Sequence, residues 1–205
     1  MPQFLVNESK IAKASITVTP VGLGCTAELY LVSDKVKAAT SGQIAFNSTG
    51  DPQSIAFPIT MPSTAGTYKV YLDIYASGIQ VGAYVATEDV TIIVPPTIAT
   101  NLAEKVAAWT IKLKGTLSSL GSCSEVAVSF EIQWSTDLGF NIETTPVTMT
   151  APGDFSATLS LPLGNAIADW WTYLYRAKAR CPATVLGNTV MFKTDVNGIT
   201  GSWLL

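Results

Sequence analysis

Apolar and polar residues alternate with a period of two along most of this chain, and a helical period is absent from its first half. Residues 13–19 read Lys-Ala-Ser-Ile-Thr-Val-Thr until Pro20 and Gly22 interrupt them, the pattern of a half-buried strand. Shorter runs follow at 27–32, 43–46 and 54–59, separated by turn formers such as Ser41-Gly42 and Gly50-Asp51-Pro52. The clearest pair spans 67–76 and 84–94, joined across 77–82; Tyr68, Val70, Leu72 and Ile74 fall on one face, Lys69, Tyr71, Asp73 and Tyr75 on the other. A second series begins at 106–117, with Trp109, Ile111 and Leu113 inward. It continues at 126–135, where Val126, Val128, Phe130, Ile132 and Trp134 share a face, and then at 146–149, 154–161, 171–180 and 188–194. Short strands bounded by turns at intervals of roughly 8–12 residues predict an all-β chain of antiparallel sandwiches.

Between the two series stands Val94-Pro95-Pro96-Thr97. Neither proline can donate to a strand ladder, and the pair stiffens the exit toward an extended path. The chain of 205 residues is therefore expected to form two tandem sandwiches, residues 1–95 and 96–205, with Pro95 and Pro96 as a short, semi-rigid hinge.

Composition narrows the surface chemistry. Charged residues make up only 13%, about half the usual share, and 25 Thr and 17 Ser take their place. Such a surface loses little when it packs against protein, because few charges are desolvated on contact. A net charge of -3 and a pI near 4.9 argue against a nucleic-acid partner. The absence of His excludes Ser-His-Asp and Cys-His nucleophile systems and imidazole metal ligands. No apolar run approaches the ~18 residues of a membrane-spanning helix, so no membrane insertion is expected. The opening Met1-Pro2-Gln3-Phe4-Leu5-Val6-Asn7-Glu8 lacks the basic and apolar regions of an export signal.

Two stretches carry resemblances to known families. Ala65-Gly66-Thr67-Tyr68-Lys69-Val70-Tyr71 resembles the Gly-x-Tyr-x-Val strand of bacterial immunoglobulin-like domains found in surface and virion proteins. Leu161-Pro162-Leu163, Thr172-Leu174 around Tyr173, and Phe192-Lys193-Thr194 resemble the closing third of a fibronectin type III-like domain. That second resemblance implies that Tyr173 is the corner tyrosine before the sixth strand. It also puts Cys123 and Cys181 at one pole of the sandwich, where a disulfide between them and two free, partly buried thiols are both open. Cys25 has no partner in its half and is expected to be buried and inert.

The remaining candidates are weighed on chemistry. Glu88 and Asp89 point to opposite sides of a strand, which gives paired acid/base work no support. Asp195-Val196-Asn197-Gly198 starts like a calcium loop but reaches its Gly too early and has Leu204 where the closing acid belongs, so a turn is expected. Arg176, Lys178 and Arg180 form a basic ladder on the outward face of one strand, fit for a phosphate, an acidic sugar or a partner's carboxylates, with a plain solvated strand face the favoured reading. Trp170, beside Trp171, is read first as loop packing, with a protein interface and a carbohydrate contact as the other candidates. Trp203, Leu204 and Leu205 give the chain an apolar end, which either folds back on its own sandwich or enters a neighbouring subunit.

Tandem domains of the two resembled kinds occur in phage particles and bacterial surface layers, so the resemblance implies a non-enzymatic assembly role through protein–protein contacts, with no catalytic residue, metal or cofactor. The missing export signal tilts the expectation toward a virion subunit, a capsid decoration or tail-associated protein made in the host cytoplasm. The alternative is a secreted or cell-surface adhesion or carbohydrate-binding module.

Overall fold

The described residues form eighteen strands, most of them separated by turn formers. The computed structural model describes residues 1–133, 139–140, 142–160, 171–195 and 198–205. Trp134, Leu161, Pro162, Leu163, Trp170, Val196 and Asn197 therefore lie outside the described residues, as does the side chain of Trp171. The structure is all-β, and it divides into two compact units, Met1–Val94 and Pro95–Leu205.

The first unit contains β1 (Gln3–Leu5), β2 (Ser9–Ile16), β3 (Gly24–Ser33), β4 (Val36–Asn47), β5 (Gln53–Thr60), β6 (Gly66–Ala76), β7 (Ile79–Val85) and β8 (Val90–Ile93). Six of them form one sheet in the order β1-β8-β6-β3-β4, with β7 also on β6; β2 and β5 form the opposing pair. Every pairing is antiparallel except β1 with β8. Ile16, Phe57 and Ile59 from the small sheet meet Ala27, Leu29, Leu31, Tyr68 and Ile74 from the large one in a single core.

The expected strand at 84–94 is in fact two. β7 begins at Ile79, directly after a turn at Ser77 (φ 49°) and Gly78 (φ 81°), both left-handed. Two left-handed residues in succession match the strand twist of a tight hairpin, and the Ser-Gly pair allows it. The expected strand at 43–46 is the end of the twelve-residue β4.

The second unit contains β9 (Thr97–Ala107), β10 (Thr110–Ser119), β11 (Val126–Gln133), β12 (Ile142–Glu143), β13 (Val147–Met149), β14 (Gly153–Ser160), β15 (Trp171–Cys181), β16 (Ala183–Leu186), β17 (Val190–Asp195) and β18 (Gly198–Leu204). A three-stranded sheet, β14-β10-β9, faces a larger one ordered β12-β11-β15-β17-β18, with β13 on β11 and β16 on β15. Val126, Val128, Phe130 and Ile132 all point into the core, with Ile111, Leu113, Leu117, Tyr175 and Phe192. Truncating a fully buried ring such as Phe130 to Ala costs about 3–5 kcal/mol.

The expected continuous strand at 106–117 is corrected here. The chain reverses at Ala108-Trp109, so 106–107 end β9 and the remainder is β10. Trp109 is half-buried against the core, as its inward placement requires.

Candidate functional site

The outward face of β15 carries Arg176, Lys178 and Arg180, and register decides what they meet. β11 lies alongside, with Glu131 opposite Arg176 and Ser129 opposite Lys178, and β12 follows with Glu143 opposite Glu131. Arg176 pairs with Glu131 at 2.8 Å, Lys178 reaches both Glu131 and Glu143, and Arg180 pairs with Glu143 at 2.6 Å. Ser129 donates its hydroxyl to Glu143 at 2.6 Å, and the Arg176 guanidinium lies 4.0 Å over the Phe140 ring. Three cations and two carboxylates thus form one network, and the ladder is largely neutralised within its own sheet.

Partial burial pushes the Glu131 carboxyl up, but hydrogen bonds from Lys178 and Arg176 outweigh it and hold the group below the usual carboxylate range. For Glu143 the same burial is outweighed by bonds from Ser129, Arg180 and Lys178. Lys178 is held above its ordinary value, first by the bond to Glu131.

The apolar end takes the form of an edge strand. β18 pairs with β17, setting Trp203 opposite Met191 and Leu204 opposite Val190, while the Ser202 hydroxyl donates to the Ala103 carbonyl at 3.1 Å. The backbone is therefore held, but Trp203, Leu204 and Leu205 remain 45%, 60% and 69% exposed. Leu204 lines an open cleft of about 730 Å³, together with Asn101, Leu102, Glu104, Lys112, Lys114, Asp154 and Phe155. Asn101 donates to the Thr116 hydroxyl at 2.8 Å, which donates to Asp154 at 2.6 Å; Lys114 stands 3.6 Å from Glu104. Sequence reasoning missed this cleft because it missed β9.

No family model matches the chain, and no curated protein matches it. Among solved structures it is similar to a DUF3823 family protein from Bacteroides ovatus ATCC 8483, at 11% identity over 92% of this chain and 100% of that one, with a TM-score of 0.34. It is also similar to CBD12 from CALX1.2, at 11% identity over 88% and 79%, TM-score 0.30. The amphioxus IgVJ-C2 molecule is similar at 12% identity over 95% and 99%, TM-score 0.27. Likeness this distant says nothing of activity or partner.

Cys123, in the loop after β10, is bonded to Cys181 at the end of β15, with Cα atoms 6.3 Å apart. Cys25 is a buried free thiol whose Sγ donates to the Leu23 carbonyl at 3.5 Å. Tyr173 is buried and stacked on Phe192, ring centroids 4.8 Å apart, and burial raises its pKa. The loop it would fix, residues 161–170, is outside the described residues. Among those described, no three His, Cys, Asp or Glu residues cluster closely enough to hold a metal ion. Pro95 is half-buried and Pro96 buried, between the end of β8 and the start of β9.

Proposed function

We propose that the chain is a non-enzymatic assembly protein that works through protein–protein contacts, with a virion subunit, such as a capsid decoration or tail-associated protein, as its specific form. One observation carries this reading: the hydrogen-bonded end of the chain, β18 and the residue after it, holds Trp203, Leu204 and Leu205 partly exposed to solvent. A frayed apolar end would be unremarkable, whereas a hydrogen-bonded one holds its side chains ready for a partner and loses little entropy on docking. Complete burial of an exposed Leu is worth about 1.5–3 kcal/mol, so covering the part of Leu204 and Leu205 still exposed contributes a share of that each, and Trp is enriched among the residues that dominate interfaces. The sparse surface charge supports the same reading.

The Cys123–Cys181 bond favours a second reading, a secreted or cell-surface adhesion module, because disulfides persist in oxidising compartments. Trp170 would be its glycan contact, and a glycan array with Trp170→Ala tests that directly.

The assembly reading is tested by light scattering on the full chain beside a variant carrying Trp203→Ser, Leu204→Ser and Leu205→Ser, changes that leave the β18 backbone able to pair. Species heavier than 21.7 kDa that lose mass in the variant are expected. Assemblies indifferent to the three changes, or hydrolase turnover by the purified chain, would overturn it.

A further inference from the structure

The edge of the first unit's large sheet is a second uncovered surface, separate from the apolar chain end. β7 is hydrogen-bonded to β6 along one side only, from Tyr71↔Val85 to Ala76↔Ile79. Its other side presents a row of backbone donors and acceptors. The apolar side chains along it are uncovered: Ile79 is 70% exposed, Val81 55%, Tyr84 57% and Val85 53%. The small sheet opposite has only β2 and β5, too narrow to reach this far across.

The other long strands that border these sheets carry devices that discourage edge pairing. β2 has exposed Lys10 and Lys13, β5 has Pro58, and β4 has exposed Lys37. Charges and prolines of this kind keep edges from pairing with other chains. β7 reads Ile-Gln-Val-Gly-Ala-Tyr-Val, with no charge and no proline. Any antiparallel register of this strand with its own copy therefore places no like charges opposite each other, and a two-fold axis makes the edge its own complement.

We infer that β7 is a homodimerisation edge, pairing antiparallel with β7 of a second copy of this chain to join two six-stranded sheets into one. The occupant must be an extended strand, because only a strand satisfies the open ladder. Seven residues a side make a small interface, below the ~1,200 Å² of stable complexes, so the dimer is weak and concentration-dependent.

The test uses the full chain with Trp203→Ser, Leu204→Ser and Leu205→Ser in place, which removes the tail contact and separates the two readings. Sedimentation equilibrium from about 1 µM to about 500 µM, spanning the affinities expected of a small interface, should show mass rising from 21.7 kDa toward twice that value. Amide exchange at 79–85 should slow over the same range. With all seven residues paired the dyad falls at Gly82 and sets Val81 opposite Ala83 of the other copy, so Val81→Lys and, separately, Ala83→Lys alter only exposed side chains and should each weaken the dimer at least about tenfold by setting like charges near the dyad. A monomer at every concentration would overturn the inference and leave the edge to a foreign strand. A dimer that tolerates both lysines, or that leaves exchange at 79–85 unchanged, would overturn it as well.

Discussion

The Tyr175 hydroxyl donates to the Asn101 backbone carbonyl at 2.5 Å, tying the centre of β15 to β9 through the core of the second unit. Tyr175 is completely buried, and that burial drives its pKa upward, so the hydroxyl keeps its proton as donor. Nearby, the Ala177 amide donates to the buried Thr100 hydroxyl at 2.9 Å, and the Thr100 amide donates to the Asn188 side chain at 3.1 Å. Tyr175→Phe keeps the ring and deletes the bond, leaving the part-buried Asn101 carbonyl without this donor. It should cost about 1–2 kcal/mol. All 5 Trp follow Pro96, so the denaturant midpoint read by tryptophan fluorescence measures this unit alone. An unchanged midpoint would show that the bond contributes nothing.

The Glu131–Lys178–Glu143 network predicts how stability depends on pH. Both carboxyls titrate below the ordinary value of 4.5 in the folded chain. Their contribution is complete above about pH 4.5 and is lost as pH falls through the folded values, because the unfolded chain then takes up protons first. Lys178, raised above 10.5, contributes in the opposite sense: fully below that value, and less as pH rises through its folded pKa. The second unit should therefore weaken as pH falls below 4.5, and Glu131→Gln should flatten that acid limb while costing about 1–2 kcal/mol at neutral pH. A variant with the same acid limb as the parent would remove the network from the account.

Legibility in the sequence followed hydrophobic contrast. Val126 to Ile132 and Tyr68 to Ile74 alternate large apolar with polar residues, and each large residue lies on the side the alternation predicts. β4 was mostly invisible because Val36-Lys37-Ala38-Ala39-Thr40-Ser41-Gly42 offers small side chains on an edge, with little to distinguish two faces. The Ala108-Trp109 reversal contains no Gly, Pro, Asn or Asp, so nothing local marked it, and the tertiary pairing of β9 with β10 makes the turn. Of the candidate contacts, the outward ladder was legible from alternation. Its neutralisation was not, because Glu131 and Arg176 meet only through a strand register 45 residues apart in sequence.

The Cys123–Cys181 bond closes a loop with a sequence separation of 58 within the second unit. In the chain-entropy account a loop of this length stabilises by about 4 kcal/mol, and measured effects of removing such bonds run about 2–5 kcal/mol. Cys123→Ser combined with Cys181→Ser should lower the fluorescence-detected midpoint accordingly. The first unit, whose Cys25 is unbonded, should respond neither to these changes nor to reductant. A midpoint insensitive to reductant would mean that the thiols are free in solution.

Gly198 tests whether the β18 backbone is held as the assembly reading requires. Its φ is 107°, and a Cβ there would collide with the Ala108 carbonyl group. That same carbonyl accepts the Ile199 amide at 2.9 Å, and Lys105 donates to the Ile199 carbonyl at 2.8 Å, so the start of β18 clasps the β9–β10 turn. A methyl group at 198 cannot be accommodated without opening the clasp. Gly198→Ala should cost about 2–4 kcal/mol and speed amide exchange through 199–204. Gly201→Ala is the control, because its Cβ would meet only the Trp203 ring, at 3.1 Å, and that exposed side chain can turn away. Equal effects from the two substitutions, or unaltered exchange in Gly198→Ala, would mean that β18 is not anchored at this turn and that its apolar side chains are not presented on a fixed strand.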